Sequence, residues 1–545
     1  MPNVEDILKR LSSIKSEHGN WTAIWEDCAR YCMPNASPIG DIRAKARANK
    51  KKMPIDTTGV DCAEKLAAWL YSSTVYQGDK WFDLKSKSPD PVTQKPDSQL
   101  NAFLENARDI VLQEISTSNF IQVYQQFLRS YVIFGTALIY IEFDQFGNFS
   151  AKNFNVTDNI YISENSEGEI DTVFREFAFT ARQAVEEFGY ENVSSDIQKA
   201  YDKPASKDER FNFLHAVFPR ERRDRRKTDR LNKPFADFYI EVNAKKIVRE
   251  GGHDFCPYIT SRFFNTGEIY GRSAAMSAIP SLRAINIAVY AYLEGVEFAC
   301  RPMVFAPSET IEKMELKAGA LNPYDSHDAQ LVLWSPNGDF KSVLEFAQLQ
   351  REQVQKLFYT DVFQYIEDRK NMTATEAQLR YDEMIQGFAP VLANLQSEFF
   401  KKLIERITIE LCRIGKIFVP HAYRKNPKRN SIPDFEVIYT TRLDTKLKGV
   451  ISGNMRNFIM LVGEFVMALA QAPTAAAYID SDKFIKTIAD NCDCSNFLLE
   501  DEQIQKNLLS QSESAAKKTI TDKVKPIDLQ QAPVKGSAID LMLNG

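Results

Sequence analysis

Apolar residues recur at helical spacing through residues 2–33. Ile7, Leu8, Leu11 and Ile14 lead into Trp21, Ile24, Trp25 and Cys28, and Pro34–Pro38 end the pattern. Thr57-Thr58-Gly59 opens a second helix with Cys62, Leu66, Trp69 and Leu70 on one face, and Trp81-Phe82-Asp83-Leu84 reads as the strand or turn after it. Residues 98–134 are helical again, on Leu100, Phe103, Leu104, Ala107, Ile110 and Val111. The period changes at Gly135–Phe143, an apolar run typical of a buried strand. From Phe146 to Phe264 short strands dominate, with hairpin turns at Asp144–Gly147 and Ser166–Gly168 and a short helix at Phe179–Tyr190.

A different scale begins near Gly271. Ser273 can cap a long helix, and Pro280 should kink or restart it. Its stretch 281–300 spans ~30 Å at 1.5 Å per residue. That stretch is apolar on more than one face: Ile285, Val289, Leu293 and Val296, but also Ile287, Tyr290 and Tyr292. Residues 301–340 are punctuated by Pro302, Pro307, Pro323 and Pro336 and hold the strand-like Gln330–Trp334. Residues 342–367 predict the next helix, ~39 Å long. Two long helices flanking a compact insert imply an antiparallel pair with a small knob at its tip. A short basic loop, 368–372, follows, and Thr373-Ala-Thr-Glu376 is a capping box in which the Thr373 hydroxyl and Glu376 satisfy backbone N–H groups. The helix it starts runs to about Gly415, with Pro390 as a kink and Val391, Leu395, Phe399, Leu403 and Ile407 as its apolar face. Phe435–Arg442 reads as a strand and residues 450–509 as helix. From Gln511 onward there are no aromatics, and a disordered tail is expected.

Composition narrows the function. The 545 residues allow three or four domains, and 44% hydrophobic content supports a large core. A net charge of −5 excludes a protein that coats DNA over its whole surface, so any nucleic-acid contact must be local. The run from Arg43 to Lys52 carries no acid and reads as a solvated loop. Arg220–Arg230 packs seven basic and three acidic residues into a hairpin tip, solvated or in contact with a neighbouring subunit or nucleic acid. The eight cysteines are scattered without zinc spacing, and Met1–Arg10 is too polar for a signal peptide. Asn457–Tyr478 holds a single charge, Glu464, and reads as a buried helix of an assembly rather than a membrane span. There is no phosphate-binding Gly-x4-Gly-Lys-Ser/Thr loop, no Gly-x-Ser-x-Gly elbow and no His-Glu-x2-His helix, and the five histidines lie far apart. Neither enzymatic activity nor a cofactor or metal is expected.

The pattern resembles the portal, or head-to-tail connector, proteins of short-tailed bacteriophages over roughly residues 5–505. The carriers are Asp56-Thr-Thr-Gly59, Trp81-Phe-Asp-Leu84, Phe134-Gly-Thr136, Tyr258-Ile-Thr-Ser-Arg262, Gly267-Glu-Ile-Tyr-Gly-Arg272, Met372-Thr-Ala-Thr-Glu376 and Gly387-Phe-Ala-Pro390. The resemblance implies an α+β, mainly helical fold assembled as a dodecameric ring at one capsid vertex. It assigns residues 1–270 to a wing, 271–300 and 342–367 to two stem helices, 301–341 to a clip and 368–372 to a tunnel loop. Residues 373–449 return through a long kinked helix to the wing, 450–510 form a crown, and 511–545 the tail. Implied partners are double-stranded DNA in the channel, the terminase large subunit, a tail adaptor, and the major capsid and scaffolding proteins, with no membrane. Assembly would take place in the bacterial cytoplasm and the product would sit in the virion. Arg369 and Lys370 are the candidates for touching DNA phosphate, with Asn371 as a hydrogen-bond partner. Glu309, Glu312 and Lys313 are the candidates for the clip's docking surface, whereas Leu331, Leu333 and Trp334 fit its small core or contacts between subunits.

Overall fold

The computed structural model describes residues 4–34, 53–75, 80–87, 98–144, 147–224, 226–227, 229–307, 315–324, 332–334, 340–360, 387–425, 431–440 and 460. All but Met460 belong to one compact unit, Met1–Leu447. The fold is α+β.

Helix α1 (Val4–Cys32) does two jobs along its length. Its first half lays Ile7, Leu11 and Ile14 on a five-stranded antiparallel sheet, where they meet Tyr161, Phe174, Leu214 and Phe238. Its second half carries Trp21, Trp25 and Cys28 into the main core. That sheet runs β4 (Ile160–Glu164), β5 (Ile170–Thr180), β6 (Arg210–Pro219), β7 (Phe235–Glu241) and β8 (Lys246–His253), each strand paired with the next in sequence. Its other face is covered by α5 (Ala181–Phe188) and α6 (Ser195–Asp202) through Phe188, Ile197, Phe213 and Val248. Helix α5 starts in a capping box between Thr180 and Gln183. Helix α6 escapes a periodicity reading because only Ile197 and Ala200 face inward.

The main core surrounds α4 (Phe120–Phe134). Residues 98–134 form two helices, α3 (Ser98–Thr117) and α4, rather than one. The break has a cause. Asn119 turns both ends of its amide to the Ala151 backbone, donating at 2.8 Å and accepting at 2.9 Å, and so pins the chain to a neighbouring strand. That strand, β3 (Phe149–Asn155), pairs with β2 (Thr136–Phe143), which pairs with β9 (Tyr258–Arg262) in a three-stranded sheet. Helix α2 (Thr58–Thr74) packs on α4, and β1 (Phe82–Ser86) pairs antiparallel with β13 (Phe435–Tyr439).

The predicted apolar face of the last long helix is fully buried at Val391, Leu395, Phe399, Leu403 and Ile407. Its described part runs through Pro390 without a break in the helix. A π-turn, Leu395–Phe400, precedes α9 (Lys401–Ile414), and Gly415 ends the helix in the left-handed region at φ +95°. Phe399 stacks on Phe127 at 4.4 Å and on Tyr124 at 5.7 Å, so one wide turn presents Phe399 and Phe400 together to α4.

Candidate functional site

The part with a mechanical character is a helical hairpin. Helix α7 (Ala274–Cys300) has 27 residues, about 40 Å at 1.5 Å per residue. Ser273 caps it, accepting from the Met276 N–H at 3.0 Å and donating to the Ile133 carbonyl at 2.9 Å. Pro280 neither ends nor restarts the helix; Ala278, Ile279, Ser281 and Leu282 around it are buried and hold its second turn in place. Helix α8 (Phe340–Leu357) returns antiparallel: Phe340 lies against Gly295, and Arg351 stands near the level of Asn286. Between the helices, β10 (Met303–Pro307), β11 (Leu321–Tyr324) and β12 (Val332–Trp334) make a three-stranded sheet in the order β11-β10-β12, the predicted knob.

Helix α8 ends at Leu357, and residues 361–367 of the expected helix lie outside the described residues. Tyr359 takes φ +56°, Thr360 N–H bonds back to the Gln355 carbonyl at 2.8 Å, and the Tyr359 ring packs on Phe388 at 4.4 Å. Tertiary packing on Phe388 overrides the helical periodicity there.

Three sequence motifs that lie far apart along the chain converge at the base of α7. Gly135 (φ +75°) backs onto Gly271 so closely that a Cβ on Gly135 would sit 2.2 Å from the Gly271 carbonyl oxygen. Gly271 N–H donates to Thr136 Oγ1 at 2.8 Å. Tyr270 is buried against His18, Trp21 and Trp25. Arg262, whose side chain is 6% exposed, makes the densest set of bonds. Its guanidinium reaches Glu398 Oε1 at 2.8 and 3.1 Å, Glu164 at 3.3 Å and the Gly168 carbonyl at 2.8 Å, and its backbone N–H donates to Glu398 Oε2 at 2.7 Å. Glu398 lies inside the π-turn, so the irregular turn delivers the carboxylate to Arg262.

A second fastening joins the hairpin to α2. Asn286 Oδ1 accepts from the backbone of Ile55 at 2.9 Å, and Arg351 donates twice to Asp56 Oδ2 at 2.8 and 3.0 Å. Burial opposes ionisation of Asp56, but the Thr58 hydrogen bonds and the Arg351 guanidinium hold its pKa below the ordinary carboxylate value. Glu398 and Arg351 carried no signal in the sequence; Asn286, polar inside an apolar helix, was the one hint.

Beyond these fastenings the hairpin leaves large apolar side chains uncovered in the single chain. Ile287 is 71% and Leu349 62% exposed, with Tyr290, Leu293, Leu344 and Phe346 also exposed. Only Ala347 and Val354 of α8 are buried. In the knob, Leu333 is 67% exposed, so it is not core of the lone chain; Met303 and Asn322 are buried there instead. By length and composition α7 could cross a membrane, but its first half lies in the core and Arg283 pairs with Asp27.

The other residues singled out from sequence lie outside the described residues: Arg369, Lys370 and Asn371, the cap Thr373 and Glu376, and Glu309, Glu312 and Lys313. So do the basic run 43–52, Leu331, the segment 457–478 apart from Met460, and the tail. Among the described residues no group of three or more His, Cys, Asp or Glu is placed to hold a metal ion.

A family model described as bacteriophage head to tail connecting protein matches residues 4–496. The chain is similar to a probable portal protein of Bordetella phage BPP-1, 25% identical over 504 residues, 89% of this chain and 86% of that protein. It is also similar to a portal protein of Salmonella phage epsilon15, 24% identical over 415 residues, 74% of this chain and 73% of that protein.

Proposed function

The chain belongs to the bacteriophage head to tail connecting protein family, and from that premise we propose that it works as a ring-shaped portal at one capsid vertex. Twelve copies would surround a channel through which double-stranded DNA is packaged and ejected. The observation that carries this is the uncovered apolar hairpin, Ile287, Tyr290 and Leu293 on α7 with Leu344, Phe346 and Leu349 on α8. Six large exposed apolar side chains on two neighbouring helices exceed the singly scattered ones of an ordinary surface and mark an interface. Neighbouring hairpins would cover it, making α7 and α8 the stem and the β10–β12 knob the clip. The wing would be the body carrying the two main sheets, and residues 450–510 the crown.

The mechanism is passive. Many phosphate contacts would anchor DNA through counterion release, so a low-friction channel needs few cations. A subunit of net charge −5 suits that need, with Arg369, Lys370 and Asn371 as the tunnel-loop contacts. Glu309, Glu312 and Lys313 on the clip would meet the terminase large subunit first and the tail adaptor later. Capsid and scaffolding proteins would meet the wing. The protein would assemble in the host cytoplasm, remain in the virion, and act without enzymatic chemistry.

Negative-stain electron microscopy and mass photometry of the purified chain test the assembly. Closed rings are expected, and Ile287→Asp with Leu349→Asp should yield monomers of unchanged circular dichroism. Wild-type protein that stays monomeric at high concentration, or a double variant that still closes rings, sinks the stem assignment.

A further inference from the structure

Two rows of side chains face one another between the five-stranded and three-stranded sheets. In the larger sheet Arg175 pairs across the strands with His215, His215 with Tyr239, and Tyr239 with Arg249. These four therefore stand side by side on one face, at ~4.8 Å per strand. In the smaller sheet Lys152 pairs with Tyr140 and Tyr140 with Tyr258. The space between the rows is a cavity of about 130 Å³. That is the liquid volume of roughly four waters, at about 30 Å³ each. A space of this size admits a group of a few heavy atoms.

The cavity is lined for an anion. The Arg175 guanidinium lies over the Phe154 ring at 4.0 Å and the Phe177 ring at 4.7 Å. Stacking of that kind fixes the plane of the cation and leaves its N–H edge directed outward. Arg249 is held in the same way over Tyr239 at 4.1 Å. His215 is stacked on Tyr239 at 4.1 Å, and its two ring nitrogens are committed, to Tyr258 Oη and to Asp237, each at 2.7 Å.

The charges do not cancel. Glu187 pairs with Arg249 at 2.9 Å and Glu142 with Lys152 at 3.3 Å. Arg175 has no carboxylate within ion-pairing distance among the described residues. Asp158 feels it at longer range but accepts from the Asn155 N–H, and Asp237 sits between His215 and His253. Three cations and two carboxylates line the cavity, an excess of one positive charge. The Tyr140 hydroxyl, on a residue 8% exposed, has no hydrogen-bond partner among the described residues. An aromatic-braced arginine that meets the Tyr258 hydroxyl but no carboxylate among the described residues, with the Tyr140 phenol beside it, in a space of this size, makes a receptor for one oxyanion.

We infer that the cavity between the two sheets binds a single small oxyanion, a carboxylate or phosphate group, held by Arg175 and Arg249 and capped by the Tyr140 hydroxyl. The inference stands apart from the hairpin and from ring assembly, because Arg175, Arg249 and Tyr140 belong to the two sheets of the body.

The test is titration of the purified full-length protein with sodium acetate and, separately, inorganic phosphate, with chloride adjusted to keep ionic strength constant. Binding is read by calorimetry and by the rise in melting temperature. At least one anion should bind saturably, at one site per chain, with millimolar or tighter affinity. Arg175→Gln should weaken it at least ~10-fold, as expected for loss of a charge-assisted pair, and Tyr140→Phe by a few-fold, with unliganded folding preserved. Acetate binding without phosphate binding identifies a carboxylate receptor, and the converse a phosphate receptor. If neither anion binds saturably, or if Arg175→Gln binds as wild type does, the inference falls. Should Arg175→Gln fail to fold, wild-type-like binding by Tyr140→Phe and Arg249→Gln overturns it equally.

Discussion

Replacing Glu398 with Ala removes the one carboxylate that meets Arg262 through both oxygens. The Arg262 side chain is 6% exposed, so its charge would be left in the protein interior with Glu164 at 3.3 Å as its only ionic partner among the described residues. Breaking a buried pair by deleting one member costs about 3–5 kcal/mol. The low end applies, because Glu164 remains and a cleft of about 370 Å³ beside Glu164, Gly168 and Glu398 can admit water. Glu398→Ala should therefore cost about 3 kcal/mol and Glu398→Gln, which keeps an acceptor, about 1–2 kcal/mol. Lys402→Ala at the rim should stay within about 0.5 kcal/mol. Urea unfolding at neutral pH gives the order, and hydrogen exchange in Gly267–Arg272 gives the location. Arg262→Met combined with Glu398→Met should recover part of the loss, since the buried guanidinium is gone and Glu164, 28% exposed, can be solvated. A Glu398→Ala midpoint within 0.5 kcal/mol of wild type, or a double variant as poor as the sum of its parts, would refute the clamp.

Acidification should destabilise the body. Burial lowers the pKa of His215 despite its bond to Asp237, and burial likewise lowers that of His18. Burial opposes ionisation of Asp237, yet the rings of His215 and His253 hold it well below the carboxylate range. The unfolded chain takes up the histidine protons first, so stability falls as pH drops below about 6.5 and falls again below about 4 as unfolded Asp protonates. Urea midpoints from pH 8 to 5 check this, and a flat profile contradicts it. Gly135→Ala should cost several kcal/mol or abolish soluble expression, because its Cβ would meet the Gly271 carbonyl oxygen at 2.2 Å and its φ is +75°; a melting temperature equal to wild type would disprove the close approach. Arg369→Ala with Lys370→Ala should leave ring assembly intact and alter DNA packaging or retention, measured as genome content per particle. Lost assembly with normal DNA handling in surviving particles would remove both residues from the tunnel.

What could be read from the sequence was what depends on local period. The apolar spacing of Ile7, Leu11 and Ile14, or of Val391 through Ile407, requires a buried face wherever the chain folds, and those faces are buried. Ser273 and Gly415 announce helix ends through their own side-chain and backbone preferences. What could not be read depends on partners remote in sequence. Asn119 breaks a helix because Ala151 lies beside it, and Tyr359 ends one because Phe388 does. The Arg262–Glu398 pair joins residues 136 positions apart and relies on a π-turn that no period predicts. The motifs at 134–136, 258–262 and 267–272 were visible singly; that they form one joint was not.

That joint and the bare hairpin are two halves of one arrangement. A surface of six large apolar side chains, Ile287, Tyr290, Leu293, Leu344, Phe346 and Leu349, is worth on the order of 10 kcal/mol if fully covered, at ~1.5–3 kcal/mol each. Association itself costs about 4–15 kcal/mol, so a single such interface would hold a pair only marginally. In the proposed ring the contact is head-to-tail, and closure gives every copy two interfaces for the loss of one body's freedom. A marginal pair and a stable ring then follow from the same surface. The gain is realised only if each hairpin is presented at a fixed angle. The Gly135–Gly271 contact, the Arg262–Glu398 clamp and the Asp56–Arg351 pair fix that angle from three sides. Loosening any one of them should therefore impair ring closure before it unfolds the subunit.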